Sequence, residues 1–152
     1  MADTFTKLFI HVVFAVRGRE NIISPKWKDG LYKYVTGIVT NNDQKLMIIN
    51  GMPDHIHLLL GIKPTIALSD LIRDIKANSS RFVNEHRWVQ GRFEWQHGFG
   101  AFTCNPAELD PIINYIKNQE EHHKMKRFKE EYVDLLDFNN IDYKPEYLFD
   151  DV

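Results

Sequence analysis

The chain has 152 residues, of which 43% are hydrophobic and 12% aromatic, and this fits one compact domain with a filled core. It contains no apolar run of about eighteen residues, and its start lacks the features of a signal peptide, so we expect neither a membrane span nor export. Cys104 is the single cysteine, which excludes an intrachain disulfide and a cysteine zinc site and favours a cytoplasmic protein.

The net charge of −2 does not favour nucleic-acid binding, but the charges are unevenly distributed. Residues 137–152 contain five acidic residues and one lysine, so this acidic tail carries −4 and the rest of the chain +2. Among the basic residues outside the tail, several lie close together along the chain: Arg17, Arg19, Lys26, Lys28 and Lys33 in one group, and Arg73, Lys76 and Arg81 in another. Charge therefore permits DNA binding without predicting it.

The first two thirds of the chain predict an α+β fold. Residues 8–16 (LFIHVVFAV) predict a buried strand, and Ser24 and Pro25 predict the start of a helix that reaches about residue 41. Strands are further predicted at 46–50, 55–62 and 99–103, and an amphipathic helix at 68–85. The order β-α-β-β-α-β is that of the ferredoxin-like fold, an antiparallel sheet with its first and third strands in the centre. Such a sheet has helices on one face and leaves the other free for a ligand.

The rest of the chain predicts two more helices. Asn105, Pro106 and Glu108 form the pattern of a capped N-terminus, from which a third helix is predicted to continue to about residue 124. A last helix is predicted at about 128–136, before the acidic tail. We expect residues 1–152 to form a single domain.

Five of the seven histidines bear on a possible metal site. His55 and His57 flank an isoleucine on the third predicted strand, so both imidazoles leave one face with β-carbons roughly 7 Å apart, close enough to share a metal ion. The same pattern is also typical of polar residues on an exposed sheet face. His11 lies on the other central strand and is interpreted as a packed strand histidine. His122 and His123 are adjacent on a helix and diverge by about 100°, which argues against a metal role for this pair.

Tyr115 and Gln119 are four residues apart in the third predicted helix, so they share one face. Tyr115 could present its hydroxyl beside the side-chain carbonyl of Gln119, or it could pack in the core beside Ile112 and Ile116. Asn118 and Gln119 are poor core residues, so this face is at least partly polar.

Several segments together resemble the single-tyrosine HUH transposases of bacterial insertion sequences, the IS200-like type. The resemblance lies in GMPDHIHLLL (51–60) and YIKNQEEHH (115–123), which are joined by WQHGFGAF (95–102). It also includes HVVFAVRGREN (11–21), SDLIRDIKANSSRFVNE (69–85) and the ending FKEEY…YLF (128–149), and it therefore covers nearly the whole chain in order. HUH denotes histidine, a bulky apolar residue and histidine, here residues 55–57.

The resemblance implies roles for four residues. His55 and His57 match the metal-binding histidines, Tyr115 matches the nucleophile, and Gln119 matches the third metal ligand. Such enzymes cut and rejoin single-stranded DNA folded into hairpins near the element ends. They use Mg²⁺ or Mn²⁺ and form a 5′-phosphotyrosine link with a free 3′-OH. The resemblance also implies a homodimer, in which the tyrosine helix of one subunit can complete the site of the other.

Contacts with the DNA backbone have four candidates, Arg17, Arg19, Lys76 and Arg81, which lie near strand ends or on the second helix. Surface solubility explains each of them equally well.

Other interpretations of the function of the chain remain open. A histidine-triad nucleotide hydrolase would need a third histidine at Leu59, and a module that only binds RNA or DNA would leave the HxH and Asn-Gln motifs without a role. A relative of the transposases kept by the host for DNA cleavage would retain the same site.

Overall fold

The computed structural model describes residues 3–19 and 22–149. In chain order, its strands and helices are β1 Leu8–Ala15, α1 Lys28–Asn41, β2 Lys45–Met52, β3 His55–Ile62, α2 Leu68–Glu85, β4 Gly100–Cys104, α3 Leu109–Lys117, α4 Gln119–His122 and α5 Phe128–Phe138. Short 3-10 turns occupy Arg17–Arg19, Pro106–Glu108 and Pro145–Tyr147. The prediction of an α+β chain is confirmed.

The four strands form one antiparallel sheet in the order β2-β3-β1-β4, with β1 and β3 in the centre. Both central strands are mainly apolar, with His11 in β1 and His55 and His57 in β3 as their polar residues, and this suits strands that are buried on both faces. Their pairing sets Ala15 opposite His55. Alternation along β1 sends Val12 and Phe14 to one face and Val13 and Ala15 to the other, and all four are fully buried.

Helices α1 and α2 cover the first face of the sheet. Their fully buried residues recur at helical spacing: Leu31, Val35, Val39, Leu71, Ile72 and Ile75. Helix α1 begins at Lys28 and not at Pro25 as predicted. The backbone of Trp27 is not helical, and the carbonyl of Ser24 closes a separate turn by accepting hydrogen bonds from the amides of Trp27 and Lys28.

The second face is not free for a ligand, and the prediction that it would be is wrong. Helix α5 packs there with Phe128, Tyr132 and Leu136 against Val13, Ala15 and Phe102, and α3 packs with Ile116 against Leu59 and Cys104. The physical reason is that this face also carries apolar side chains, such as Val13, Leu59 and Phe102, which must be removed from water. Residues of β3 on this face therefore point into an interior between the sheet and the C-terminal helices.

The predicted third helix is interrupted. Helix α3 ends at Lys117, Asn118 has a non-helical backbone, and α4 is only one turn long. The side-chain amide of Asn50 on β2 donates hydrogen bonds to the carbonyls of Ile116 and Lys117, at 3.0 Å each. These carbonyls end α3, and groups at a helix end need such partners. The interruption is therefore stabilised by a neighbouring strand.

The C-terminal segment folds back onto α5. The predicted last helix is confirmed as α5, and beyond it Leu148 is buried while the ring of Phe149 packs against those of Phe128 and Tyr132. The described part of the acidic tail is thus anchored by its apolar residues. Among the described residues, no helix combines the length and apolar character that crossing a membrane requires.

Candidate metal centre and nucleophile

Strand β3 presents His55 and His57 to the interior beneath the C-terminal helices, where both are fully buried. One ring nitrogen of each is occupied by a neighbour. Nδ1 of His55 lies 2.7 Å from Oδ1 of Asp54, and Nδ1 of His57 lies 2.9 Å from Nε2 of His11. Partners of this kind fix the orientation and tautomer of a ligand ring. His11 is therefore packed, as interpreted, and also contacts the candidate site.

A buried glutamate, Glu131 of α5, lies at the centre of the cluster. Its Oε1 is 3.0 Å from Nε2 of His57, 3.4 Å from Nε2 of His55 and 3.1 Å from Nε2 of His123. Ligand atoms of His55, His57 and Glu131 all lie within 4.8 Å of one another, a spacing that could hold a metal ion.

Sequence reasoning missed Glu131, although a signal was present. Helix α5 buries Phe128, Tyr132 and Leu136, which form an apolar stripe, and Glu131 is on the same stripe. A carboxylate in an apolar stripe is rarely buried without a partner. That position could have drawn attention to it.

Gln119 faces the same space from α4 and is fully buried. Its side-chain oxygen is 3.2 Å from Nε2 of His55 and 3.1 Å from Nε2 of His123. Its amide nitrogen donates to Oε2 of Glu131 at 3.3 Å. The oxygen therefore faces the histidines, which is the orientation a metal ligand requires.

The hydroxyl of Tyr115 donates a hydrogen bond to Oε2 of Glu131. The tyrosine ring also lies edge-on to those of His57 and His11, with centroids 5.8 and 6.1 Å apart. Burial and the charge of Glu131 raise the pKa of Tyr115 well above its usual range. The phenol is therefore held protonated, and a nearby positive charge is needed to ionise it.

His122 and His123 both approach Glu131, although adjacent helical residues diverge. They do so because the carboxylate offers two oxygens: His123 contacts Oε1, whereas Nε2 of His122 is 3.2 Å from Oε2. The His122 contact lacks hydrogen-bond geometry, and this buried nitrogen has no hydrogen-bond partner among the described residues.

Charge in the cluster is set by burial and by carboxylates. Burial lowers the pKa of His57 to about 4 and that of His11 to about 3. Burial also acts to lower the pKa of His55, but hydrogen bonds to Asp54 and Glu131 outweigh it and raise the value. Burial would raise the pKa of Glu131, yet its contacts with the histidines hold it far below its usual range. The cluster thus contains an ionised carboxylate and an unprotonated imidazole at His57, the forms that coordinate cations, whereas a cation at His55 would compete with a proton because the pKa of that ring is raised.

The basic residues predicted to contact DNA are only partly brought together. Arg17 and Lys76 line one groove of about 450 Å³ between α2 and residues 92–99, named here the α2 groove. Arg17 pairs with Glu94 at 2.7 Å, and Lys76 donates a hydrogen bond to the carbonyl of Gln96. Arg81 lines a separate hollow further along α2. The side chain of Arg19 lies outside the described part of the structure.

Comparison with known proteins identifies the family. Residues 4–119, about three quarters of the chain, match the family described as Transposase IS200 like. The chain belongs to this family. It is thereby placed among transposases, which cleave DNA. The matched segment of this IS200-like chain ends at Gln119, so His123 and Glu131 lie beyond it.

Relatives and solved structures agree with this placement. The chain is 28% identical over 122 residues to the ISDra2 transposase TnpA of Deinococcus radiodurans, covering 76% of this chain and 86% of that protein. It is 24% identical over 132 residues to the transposase for insertion sequence element IS200 of Salmonella typhimurium, covering 82% and 85%. A crystal structure from Deinococcus radiodurans assigned to a transposase matches with a TM-score of 0.63 at 27% identity, covering 78% of this chain and 95% of that one. A REP-associated tyrosine transposase bound to a REP hairpin shares the fold, with a TM-score of 0.62 at 14% identity, covering 81% and 73%.

Proposed function

We propose that this chain cuts and rejoins single-stranded DNA at insertion-sequence ends, with Tyr115 as the nucleophile and a divalent cation held by His55, His57, Gln119 and Glu131. The observation that carries the proposal is the convergence of these five side chains in one buried cluster of an IS200-like transposase. Burying polar and charged groups costs free energy, and a module that only binds nucleic acid has no use for such a cluster.

The donor set fits Mg²⁺ or Mn²⁺. Two imidazoles, one carboxylate and one amide oxygen face a common space, and no lysine or arginine is among the residues that contact Glu131 in the described structure. Oxygen ligands suit Mg²⁺ and Mn²⁺, and imidazole suits transition metals. When bound, the cation would polarise the target phosphate and favour the ionised form of Tyr115.

The reaction assigned to Tyr115 is a transfer of the phosphodiester. Its hydroxyl oxygen attacks phosphorus, the bond to the 3′ oxygen breaks, and the products are a 5′-phosphotyrosine and a free 3′-OH. The hydroxyl loses a proton and the departing 3′ oxygen gains one. Oε2 of Glu131 accepts the hydrogen bond that the hydroxyl donates, but the low pKa of this carboxyl makes it a weak base, so it orients the nucleophile more than it deprotonates it. Attack by another 3′-OH reverses the step and releases the tyrosine, without ATP.

The proposed substrate is single-stranded DNA with hairpins near the element ends. A protein of the same fold that is bound to a DNA hairpin supports this assignment. Arg17 and Lys76 in the α2 groove are the proposed contacts with its backbone, together with Arg73 and Arg92 of the same groove. A homodimer is proposed from the family resemblance.

Covalent trapping tests the proposal. The protein is incubated with labelled single-stranded DNA from the flanks of its own gene and with Mn²⁺, and adducts are separated on a denaturing gel. We expect an adduct with the unaltered chain and none with Tyr115→Phe, since the ring remains but the nucleophilic oxygen is lost. Tyr147→Phe is the matched control, because Tyr147 is 77% exposed and distant in sequence from the cluster. An undiminished adduct in Tyr115→Phe would refute the nucleophile assignment.

A further inference from the structure

The candidate metal centre is enclosed. His55, His57, Gln119 and Glu131 are at most 1% exposed, so a phosphate cannot reach them across the open protein surface. A cavity of about 750 Å³ adjoins the centre, named here the access cleft. Its walls are Gly18, residues 52–54, His123 and residues 126–130.

Two wall residues connect the access cleft to the centre. Asp54 contacts Nδ1 of His55 at 2.7 Å, and Nε2 of His123 is 3.1 Å from the side-chain oxygen of Gln119. The cleft therefore reaches to within one side chain of His55 and Gln119. A ligand seated in it would lie beside the centre.

One segment of the lining of the cleft is basic. The loop between α4 and α5 continues into the first turn of α5 as His-Lys-Met-Lys-Arg-Phe-Lys (123–129), which has four cationic residues and no acidic one. Lys126 pairs with Asp134, whereas Arg127 and Lys129 are exposed and form no ion pair with any described residue. Asp54 and Glu130 are the acids of the cleft, and Asp54 is hydrogen-bonded to His55. Two uncommitted cations thus face the cavity.

The size of the cleft suits a short piece of a DNA strand, and its position favours a strand that continues beyond it. Sites of about 300–1,000 Å³ hold ligands of drug size, which is about one or two nucleotides. Gly18 lines the access cleft, while the adjacent Arg17 lines the α2 groove. Gly18 has a φ of 76°, so the chain turns sharply between the two surfaces in a conformation that favours glycine. A strand leaving the cleft therefore meets a second basic groove.

We propose that the access cleft binds the phosphodiester backbone of one DNA strand through Arg127 and Lys129 and delivers it to the centre. The proposal rests on the function proposed above and adds the route by which the substrate arrives. Phosphate contacts of this kind depend on charge, so the binding constant falls as the salt concentration rises and cations compete with the protein for the phosphates.

The test measures binding without cleavage. In a Tyr115→Phe background, fluorescence anisotropy reports the Kd of a fluorescein-labelled oligothymidylate, which forms no hairpin, over a range of salt concentrations. Arg127→Glu/Lys129→Glu is expected to weaken binding at least about tenfold and to reduce the salt slope by about 1.4, for two phosphate contacts at about 0.7 each. Lys33→Glu/Lys45→Glu makes the same charge change on exposed residues of α1 and β2 and should alter Kd less than twofold.

The outcomes separate the two proposals. Equal weakening by both double variants would show a general charge effect and overturn the cleft assignment, as would unchanged binding in Arg127→Glu/Lys129→Glu. Arg127→Gln/Lys129→Gln, which adds no acid, should give a smaller loss in the same direction and guards against misfolding of the first variant. Failure of the proposed function would instead be seen in the covalent trapping experiment, as the absence of an adduct with the unaltered chain.

Discussion

Glu131 contacts three histidines of the cluster through one carboxylate oxygen, and Tyr115 and Gln119 through the other. Oε1 lies among His55, His57 and His123, whereas Oε2 accepts hydrogen bonds from Tyr115 and Gln119. A carboxylate buried to this extent is costly unless every oxygen is paired, and here both are. One side chain thus links the candidate ligands to the candidate nucleophile.

Substitution of Glu131 tests its contribution to cation binding. Glu131→Gln keeps the size of the side chain and removes its charge, so the affinity for Mn²⁺ measured by calorimetry should fall about tenfold or more. Glu130→Gln makes the same change on the exposed neighbouring residue and should leave that affinity unchanged. Equal affinity in the two variants would show that Glu131 does not participate in cation binding.

The residues that sequence could identify are those that share one element. His55 and His57 lie on one strand, and Tyr115 and Gln119 were placed on one helix, so regular periodicity relates each pair. Glu131 meets them only through tertiary packing of α5 on the sheet, and its distance from them along the chain leaves no periodic signal. Their roles in catalysis remain predictions.

Strand β2 positions the histidines of β3 relative to the helix α3 that carries Tyr115. Asn50 lies opposite His57 in the pairing of β2 with β3, and its side chain also holds the carbonyls at the end of α3. The strand that aligns the histidine therefore also sets the end of the tyrosine helix. The break at Asn118 could not be predicted, because the local sequence continues a helical pattern and the hydrogen bonds that end the helix come from residue 50.

Gly51 determines how closely β2 and β3 can approach. A β-carbon at this position would lie 2.1 Å from the carbonyl oxygen of His55 and 2.8 Å from the α-carbon of Ile56, and backbone atoms cannot move aside cheaply. Gly51→Ala should therefore lower the free energy of unfolding by about 1–3 kcal/mol or more, measured by urea denaturation.

Gly37→Ala is the matched control for that substitution. Gly37 lies within α1, and a β-carbon there would meet nothing within 4 Å. Alanine should raise the free energy of unfolding by about 0.5–1 kcal/mol, since glycine is unfavourable inside a helix. A Gly51→Ala chain as stable as the Gly37→Ala chain would contradict the close approach of the two strands.

At the scale of the whole molecule, the sheet lies between two helical layers, and the polar cluster is buried within the second. The strands were predictable from their apolar runs, and the first layer of helices was predictable from the helical spacing of its apolar residues. The sequence did not predict that the C-terminal helices would cover the second face of the sheet. The pattern of a short helix shows which face of the helix is apolar but not what that face packs against. Since the ligand candidates come from β3, α4 and α5, binding of a cation there must be linked to folding.

Thermal unfolding measures that linkage. At a Mn²⁺ concentration one hundred times its Kd, binding should add about 2.7 kcal/mol of stability. For a chain of this length that corresponds to a rise in Tm of about 5–10 °C. His57→Ala should abolish the rise, and a chelator should reverse it in the unaltered chain. A Tm that is the same with and without Mn²⁺ would contradict a cation site built from these elements.

The cover that α3 and α5 form over the second face bears on how long a covalent intermediate would survive. The hydroxyl of Tyr115, where a phosphotyrosine would form, contacts the buried Glu131, so the link would be partly shielded from the bulk water that could hydrolyse it. The 5′ end of the DNA would then stay bonded to Tyr115 until a 3′-OH attacks the link, and it would not be released as a free 5′-phosphate. In this way the helices that enclose the centre would favour strand exchange over simple nicking.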